Sequence, residues 1–249
     1  MGPATAKKDL FWANLVHISF EMWWDRELPP DAERKYYEAK PYLRVDDALW
    51  NDILAKMRAA GMNMLVLDLG NGVQYRSHPE IALKNAWSTG RLREELAKCR
   101  ELGLEPIPKL NFSACHDFWL HPYDRMLSTP TYYTVCAELI AEVIELFDTP
   151  AFFHLGMDEE TAGNQRLLRY SVVRQYDLWW HDLNLLIDAA QDGVVAERLG
   201  HALHLDDRGA HQRTASAARD GSTRFMRSRI RASGMVMARY RTAAATSGV

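Results

Sequence analysis

Three consecutive acids, Asp158, Glu159 and Glu160, are the residues of this sequence best suited to chemistry. They follow a short apolar segment, residues 151–153, which predicts a strand that ends in carboxylates. Adjacent like charges repel, and carboxylates are rarely buried unless a partner or a reaction requires them. The C-terminal ends of strands are also where catalytic residues lie in parallel barrels. The alternative is a solvated helix N-terminus, where the helix dipole favours acids.

Two adjacent carboxyl groups suit acid catalysis when their environments differ. One can stay protonated because burial and a charged neighbour favour its neutral form, while the other is ionised. In glycoside hydrolysis, the protonated group donates to the leaving oxygen. Successive side chains of an extended strand point to opposite sides, so Asp158 and Glu159 can face one site only where the strand has ended. Gly156 and the residues after it allow such an ending.

The elements that must position these acids can be recognised from the spacing of apolar residues. Three further strands are predicted, over residues 14–20, 63–69 and 104–110. Helices are predicted from Asp46 or Asp47 to Gly61, and over residues 90–102, 129–147 and 171–190. An Asp can cap the first of these helices, and a glycine can end it. Strand and helix thus alternate four times, with a period of roughly 45 residues, which is typical of parallel βα units.

The alternation predicts an α/β fold of the (β/α)8 TIM-barrel type, with the first four to five units visible. Residues 193–199 are a weak candidate for the fifth strand. We expect a partial barrel domain over residues 1–200. Residues 201–249 are rich in Arg, Ala, Ser and Thr without strand–helix alternation. This segment is therefore predicted to be an irregular tail, either disordered or the product of a shifted reading frame.

Polar and aromatic residues follow each predicted strand, and the strand ends of a parallel sheet meet at one edge, where ligands bind. We therefore expect a carbohydrate site at this edge, with Glu159 and Asp158 as the catalytic residues. The expected substrate contacts are Glu21, Trp23, Asp68, Asn111, His116, Trp119 and His154. Structural alternatives remain, because histidines often hydrogen-bond within a core and tryptophans more often pack than stack on sugars.

The run HLGMDE, residues 154–159, resembles the His-x-Gly-x-Asp-Glu signature of family 20 glycoside hydrolases, the β-N-acetylhexosaminidases and their relatives. Residues 107–108, Ile-Pro, and His116 are similar to the family's Ile-Pro stretch after the third strand. The resemblance implies that the HLGMDE run ends the fourth strand of a (β/α)8 barrel. It further implies that Asp158 orients the 2-acetamido group of the substrate, which is itself the nucleophile, and that Glu159 is the general acid.

The composition is that of an ordinary globular protein and favours neither nucleic acid nor membrane as a partner. The 249 residues carry a formal net charge of -3, which is too small to attract polyanions strongly. No apolar run of about 18 residues predicts a membrane span. The cysteines, Cys99, Cys115 and Cys136, lack metal-site spacing and are odd in number, so free thiols are expected. The N-terminus does not resemble a signal peptide, so we expect a cytoplasmic location.

Three functions are compatible with these patterns. The first is a glycoside hydrolase that acts on O-glycosidic bonds and needs neither cofactor nor metal. The second is a non-catalytic or degenerate carbohydrate-binding protein, because the second half of a barrel is not visible. The third is a metal-dependent hydrolase that uses Asp68, His116, His154 and Asp158, although no short ligand spacing supports it. Half a barrel leaves open sheet edges, so self-association is also expected.

Overall fold

The computed structural model describes residues 10–24, 28–33, 35–166, 168–205 and 237–239, and of residues 36, 194–205 and 237–239 it describes the backbone alone. The strands are β1 (Ala13–His17), β2 (Met64–Asp68), β3 (Glu105–Lys109), β4 (Phe152–His154) and β5 (Met237–Arg239). They form one sheet in the order β1-β2-β3-β4-β5. The first four strands run parallel, as predicted, and β5 pairs antiparallel with β4.

One long helix follows each of the four parallel strands. These helices are α1 (Asp47–Ala59), α2 (Thr89–Glu101), α3 (Pro130–Leu146) and α4 (Asp177–Leu205). The side chains of Asp46, Ser88 and Thr129 each accept a hydrogen bond from the backbone N–H three residues further on, which caps the first three helices. Gly61 follows α1 with a φ of 81°, so the predicted start and end of that helix are confirmed.

The last helix differs from its prediction at both ends. It begins at Asp177 rather than near residue 171, and it continues to Leu205. The weak fifth strand predicted over residues 193–199 is therefore wrong. A Cβ atom at Gly193 would lie 2.9 Å from Ile144 Cδ1 and 3.4 Å from Ala141 Cα, so α4 packs closely on α3 at this point. This tertiary contact outweighs the strand preference of Val194 and Val195.

The four βα units give an α/β fold with a parallel sheet, and within the described ranges this sheet does not close into a barrel. The predicted tail, residues 201–249, lies outside the described residues except for the end of α4 and strand β5. None of the helices in the described ranges is both long enough and apolar enough to span a membrane.

The two faces of the sheet carry different side chains. One face packs against the helices through a large apolar cluster that includes Leu65, Leu67 and Phe153. The opposite face carries a small apolar cluster formed by Leu15, Met64, Val66, Ile107 and Phe152. Because side chains alternate along a strand, residues two positions beyond these members lie on the same face. The strand ends on this second face are therefore His17, Asp68, Lys109 and His154.

The prolines of β3 fit a strand with neighbours on both sides. The backbone N–H of Glu105 bonds to Asn63 O, on the β2 side, so the odd-numbered residues of β3 pair with β2. Pro106 and Pro108 occupy even positions, which face β4. β3 and β4 pair at one position alone, Lys109 with His154, so the prolines, which have no N–H to donate, lie where pairing with β4 is absent.

Gly156 ends β4 at a point of close backbone approach. Its φ is 55°, and a Cβ atom there would lie 2.7 Å from both Leu110 O and Asn111 Cα. The carbonyl of Gly156 also accepts a hydrogen bond from the N–H of Ser113 at 3.0 Å. Only glycine combines this φ with this proximity. The turn that leads to the three acids therefore requires this residue.

We expect Gly156→Ala to destabilise the protein by roughly 2–4 kcal/mol, because the methyl group meets backbone atoms and the φ is strained for alanine. Chemical denaturation with both midpoint and m-value measures this loss. Gly90→Ala is the control, since Gly90 lies in α2 and its nearest neighbour is the Ser88 hydroxyl at 3.8 Å. A Gly156→Ala variant as stable as the Gly90→Ala variant would contradict the close approach.

Candidate functional site

The four parallel strands end in ionisable residues that form one row across the sheet. His17 pairs with Asp68, Asp68 with Lys109, and Lys109 with His154 in the strand register. We call His17, Asp68, Lys109 and His154 the polar row. It lies on the sheet face away from the helices, at the carboxyl ends of the strands. These ends are where ligand sites form in parallel α/β proteins.

Asp68 is the common acceptor of the polar row and has no exposed surface. Its Oδ2 accepts from His17 Nδ1 at 2.7 Å and from Lys109 Nζ at 2.9 Å. Asn111 Nδ2 donates to the same oxygen at 2.7 Å. Burial raises the pKa of Asp68, but the charge of Lys109 and the bond from His17 outweigh it and lower the pKa to about 2. Asp68 is therefore ionised and joins the ends of three strands.

His154 is neutral and has a defined tautomer. The backbone N–H of Gly156 donates to His154 Nδ1 at 3.0 Å, so the ring proton is on Nε2. Burial and the charge of Lys109 lower the pKa of His154 to about 4. The side chain is 2% exposed. His154 therefore forms part of the buried floor beneath the strand ends and does not project into solvent.

The three acids after β4 have three different environments. Asp158 is half-buried, and its Oδ1 is buried without a hydrogen-bond partner among the described residues. Glu159 has a φ of 58° and a side chain that is 62% exposed. Glu160 turns inward, where its side chain is 3% exposed and pairs with Arg174. No helix begins here, so the alternative of a helix N-terminus is wrong for this segment.

A cleft of about 330 Å³ lies beside Glu159. His116 Nε2 is 3.6 Å from Glu159 Oε2, and burial lowers the pKa of His116 against the opposing charge of Asp158. The Trp23 ring contacts His116 at 6.2 Å and Tyr37 at 4.8 Å between centroids. The cleft is lined by Trp23, Trp24, Tyr37, Cys115, His116, Glu159, Gly163, Asn164, Arg166 and Leu168.

The structure brings some of the predicted contacts together and separates others. Glu159, His116 and Trp23 line the cleft. The second group, which lies buried at the strand ends, consists of Asp68, Asn111 and His154. The polar row shows that His17 and Lys109 belong with this group, although neither was predicted. Each is the polar residue that ends its strand, but only the strand register places them beside Asp68.

Trp119 and Glu21 occupy positions other than those expected of substrate contacts. Trp119 has no exposed surface, and its indole N–H donates to Asn111 O at 2.8 Å. It packs in the large apolar cluster on the helix side of the sheet, and its hydrogen bond holds the backbone of Asn111. Glu21 is 6% exposed and accepts a hydrogen bond from the backbone N–H of Lys40. Neither residue lines the cleft.

The metal alternative was based on Asp68, His116, His154 and Asp158. In the part of the chain that the structure describes, no group of three or more His, Cys, Asp or Glu side chains is arranged to hold a metal ion. Asp68 is instead engaged by His17, Lys109 and Asn111, and His154 Nδ1 accepts from a backbone amide. Asp68 Oδ2 and His154 Nδ1 are therefore engaged by contacts within the chain.

Comparison with known proteins gives weak structural neighbours. No family model matches the chain, and no curated protein matches it. Similar solved structures include a chitobiase of Flavobacterium johnsoniae, with a TM-score of 0.47 and 18% identity over 57% of this chain and 27% of that chain. Another is the Streptomyces plicatus N-acetyl-β-hexosaminidase, with a TM-score of 0.44 and 9% identity over 57% of this chain and 33% of that chain.

The chain thus spans about a quarter to a third of the length of these two proteins. Similarity at these TM-scores and identities assigns neither an activity nor a substrate to it.

Removal of the Lys109 charge should leave an uncompensated buried carboxylate at Asp68. We expect Lys109→Met to lower the free energy of unfolding by roughly 3–5 kcal/mol. The double variant Asp68→Asn/Lys109→Met should lose less than Lys109→Met alone, because no unpaired charge remains. Lys56→Met is the control, since its ion pair with Asp52 is exposed and contributes less than about 1 kcal/mol. Strictly additive losses in the double variant would contradict the pairing.

Glu21 should make stability depend on pH. Burial raises its pKa from 4.5 to about 7, against the Lys40 N–H and the charge of Arg44. Between these values the folded state holds a proton that the unfolded state has released. The contribution of neutral Glu21 is therefore complete below about pH 4.5 and is lost as the pH rises through 7.

We accordingly expect Glu21→Gln, which mimics the neutral acid, to gain stability relative to the unmodified protein as the pH rises from 5 to 8. Denaturant titrations at each pH measure the difference in the free energy of unfolding between the two proteins. Gly90→Ala introduces no titratable group, so its difference should stay constant. A Glu21→Gln difference that is equally constant would show that Glu21 ionises alike in the folded and unfolded states.

Proposed function

We propose that this chain is a (β/α)-barrel-type glycoside hydrolase domain, which acts on O-glycosidic bonds of a carbohydrate with Glu159 as proton donor and Asp158 as its partner. One observation carries the proposal. Of the three consecutive acids, Glu159 is the one that lines the cleft at the carboxyl ends of the parallel strands. An acid in this position can reach a bound ligand, whereas the buried Glu160 cannot.

The walls of the cleft support a carbohydrate as the ligand. Trp23, Trp24 and Tyr37 line it together with Glu159. Aromatic rings present flat apolar surfaces against which the C–H faces of a sugar can pack, while Tyr and Trp retain a polar group for a hydrogen bond. An acid beside such surfaces is placed to protonate a glycosidic oxygen. The cleft volume of about 330 Å³ is at the lower end of the range for small-molecule sites.

The roles of the two acids follow from their environments and from the HLGMDE motif. Asp158 is half-buried and does not line the cleft, and its Oδ1 is buried without a hydrogen-bond partner among the described residues. In the family that the motif resembles, this Asp orients the 2-acetamido group and the following Glu protonates the leaving oxygen. His116 lies 3.6 Å from Glu159 and is held neutral by burial. This distance exceeds a hydrogen bond, so a modest approach of either side chain is needed before they interact.

A second candidate, carbohydrate binding without turnover, is favoured by one feature of the same site. The Glu159 side chain is 62% exposed, whereas a glycosidase acid is typically kept protonated by an apolar environment. In the polar row, Asp68 Oδ2 already accepts hydrogen bonds from His17, Lys109 and Asn111. A site of this kind can hold a sugar by stacking without supplying a protonated acid.

We expect the purified protein to release the aryl group from members of a panel of aryl glycosides. Glu159→Gln should lower kcat by about 10²- to 10⁴-fold, because the proton donor is lost. The Kd for an unreactive glycoside, measured by calorimetry, should change by less than about threefold, since the amide keeps the size of the acid. Glu94→Gln on the exposed surface of α2 is the control and should match the unmodified protein.

Two outcomes separate the alternatives. Unchanged turnover in Glu159→Gln would remove Glu159 as the acid. Glycoside binding by the unmodified protein without turnover at any pH from 4 to 8 would favour the binding function over the hydrolase.

A further inference from the structure

We propose that Glu160 and Arg174 are positioning residues for the site, because their buried ion pair holds the segment that carries Glu159 against the loop that carries Cys115 and His116. This inference rests on the proposed function, in which Glu159 donates the proton. Neither residue lines the cleft, so any effect on the reaction must pass through the residues that do.

The ion pair, which we call the clamp, is bidentate and is reinforced by a backbone hydrogen bond. Arg174 Nε donates to Glu160 Oε1 at 2.9 Å, and Nη2 donates to Glu160 Oε2 at 2.6 Å. The backbone N–H of Arg174 adds a third bond to Oε1 at 2.7 Å. The two side chains are 1% and 3% exposed. A bidentate guanidinium–carboxylate contact fixes the relative orientation of the two side chains as well as their distance. When such a pair is buried, it is retained at a substantial desolvation cost.

The same clamp joins the two loops that form the cleft. Glu160 Oε2 accepts from the backbone N–H of Ala114 at 2.9 Å, and Arg174 Nη2 donates to Phe112 O at 2.5 Å. One residue away on each side, Cys115 Sγ donates to Glu159 O at 2.7 Å. The backbone that precedes His116 is thus tied, through one buried charge pair, to the segment that contains Glu159. Within this segment, Glu159 has a left-handed φ of 58°.

Arg174 has a second connection that can be tested separately. Its Nη1 donates to Asp182 Oδ2 at 3.1 Å, and Asp182 also accepts from Ser128 Oγ and from the Tyr133 hydroxyl, both at 2.6 Å. This branch ties Arg174 to α4 and to the start of α3. Asp182 has no exposed surface, so its loss should also destabilise the protein. Its hydrogen bonds among the described residues are to Arg174, Ser128 and Tyr133 and not to the Glu159 segment, so it is a control matched for burial and charge.

The experiment compares Glu160→Gln with Asp182→Asn in the full chain. On the aryl glycoside that the unmodified protein hydrolyses, Glu160→Gln should lower kcat by about 10- to 100-fold with KM within about twofold, because displacement of a reacting group affects the chemical step. Asp182→Asn should leave kcat within about threefold of the unmodified protein. It should lower the midpoint of unfolding about as much as Glu160→Gln does. Arg174→Lys, which keeps the charge but not the two-pronged contact, replaces Glu160→Gln if the latter does not fold.

A second measurement does not depend on activity. Iodoacetamide alkylation of each cysteine, followed by mass spectrometry, reports how often its surroundings open. In Glu160→Gln, Cys115 should react at least tenfold faster than in the unmodified protein, while the core thiols of Cys99 and Cys136 keep their rates. In Asp182→Asn, the Cys115 rate should stay within about threefold. Global destabilisation would accelerate all three cysteines together.

The outcomes keep this inference separate from the proposed function. If the unmodified protein hydrolyses no glycoside, the proposed function fails, and selective Cys115 alkylation in Glu160→Gln still supports the positioning role. Equal Cys115 rates in Glu160→Gln and Asp182→Asn would overturn the positioning role even in an active enzyme. A kcat in Glu160→Gln equal to that of the unmodified protein would overturn it as well.

Discussion

The structure depends on one buried carboxylate, Asp68, and on the three side chains that donate hydrogen bonds to its Oδ2. A carboxylate without exposure is stable only with close partners. Here the partners are His17 at the end of β1, Lys109 at the end of β3, and Asn111, which lies two residues beyond Lys109. Because all three bonds meet at one oxygen, the carboxyl ends of β1, β2 and β3 are joined at a defined register. This buried group forms a floor at the strand ends without any ligand.

Above this floor, the chain must leave β4 without a clash against β3. Gly156 makes this possible, because its missing side chain allows the turn to touch the backbone of Leu110 and Asn111. The residues that follow then separate by function. Glu159 turns outward to the cleft, while Glu160 turns inward to Arg174. One turn therefore produces both the candidate acid and its support.

Local patterns predicted the parts of the fold that local interactions stabilise. Asp46 and Gly61 delimit α1 because a capping side chain and a left-handed glycine act within one helical turn. The end of α4 was predicted wrongly, since the helix continues through Gly193, which packs closely on Ile144, about 50 residues earlier in the chain. Likewise, the sequence predicted Trp119 as a substrate contact, yet its side chain is buried in the core and donates a hydrogen bond to Asn111 O.

The sequence by itself determined the alternation of four strands and helices and the position of the acids just after β4. Both follow from the spacing of apolar residues and from interactions between residues close in the chain. The HLGMDE motif already favoured Glu159 as the acid, and the tertiary structure shows that Glu159, not Glu160, lines the cleft. Glu159 and Glu160 are neighbours of the same charge, and they differ because Arg174, 14 residues later, takes one of them into the interior. It also decided that Lys109 and His17 belong to the site, because strand register is a contact between segments that lie far apart in the chain.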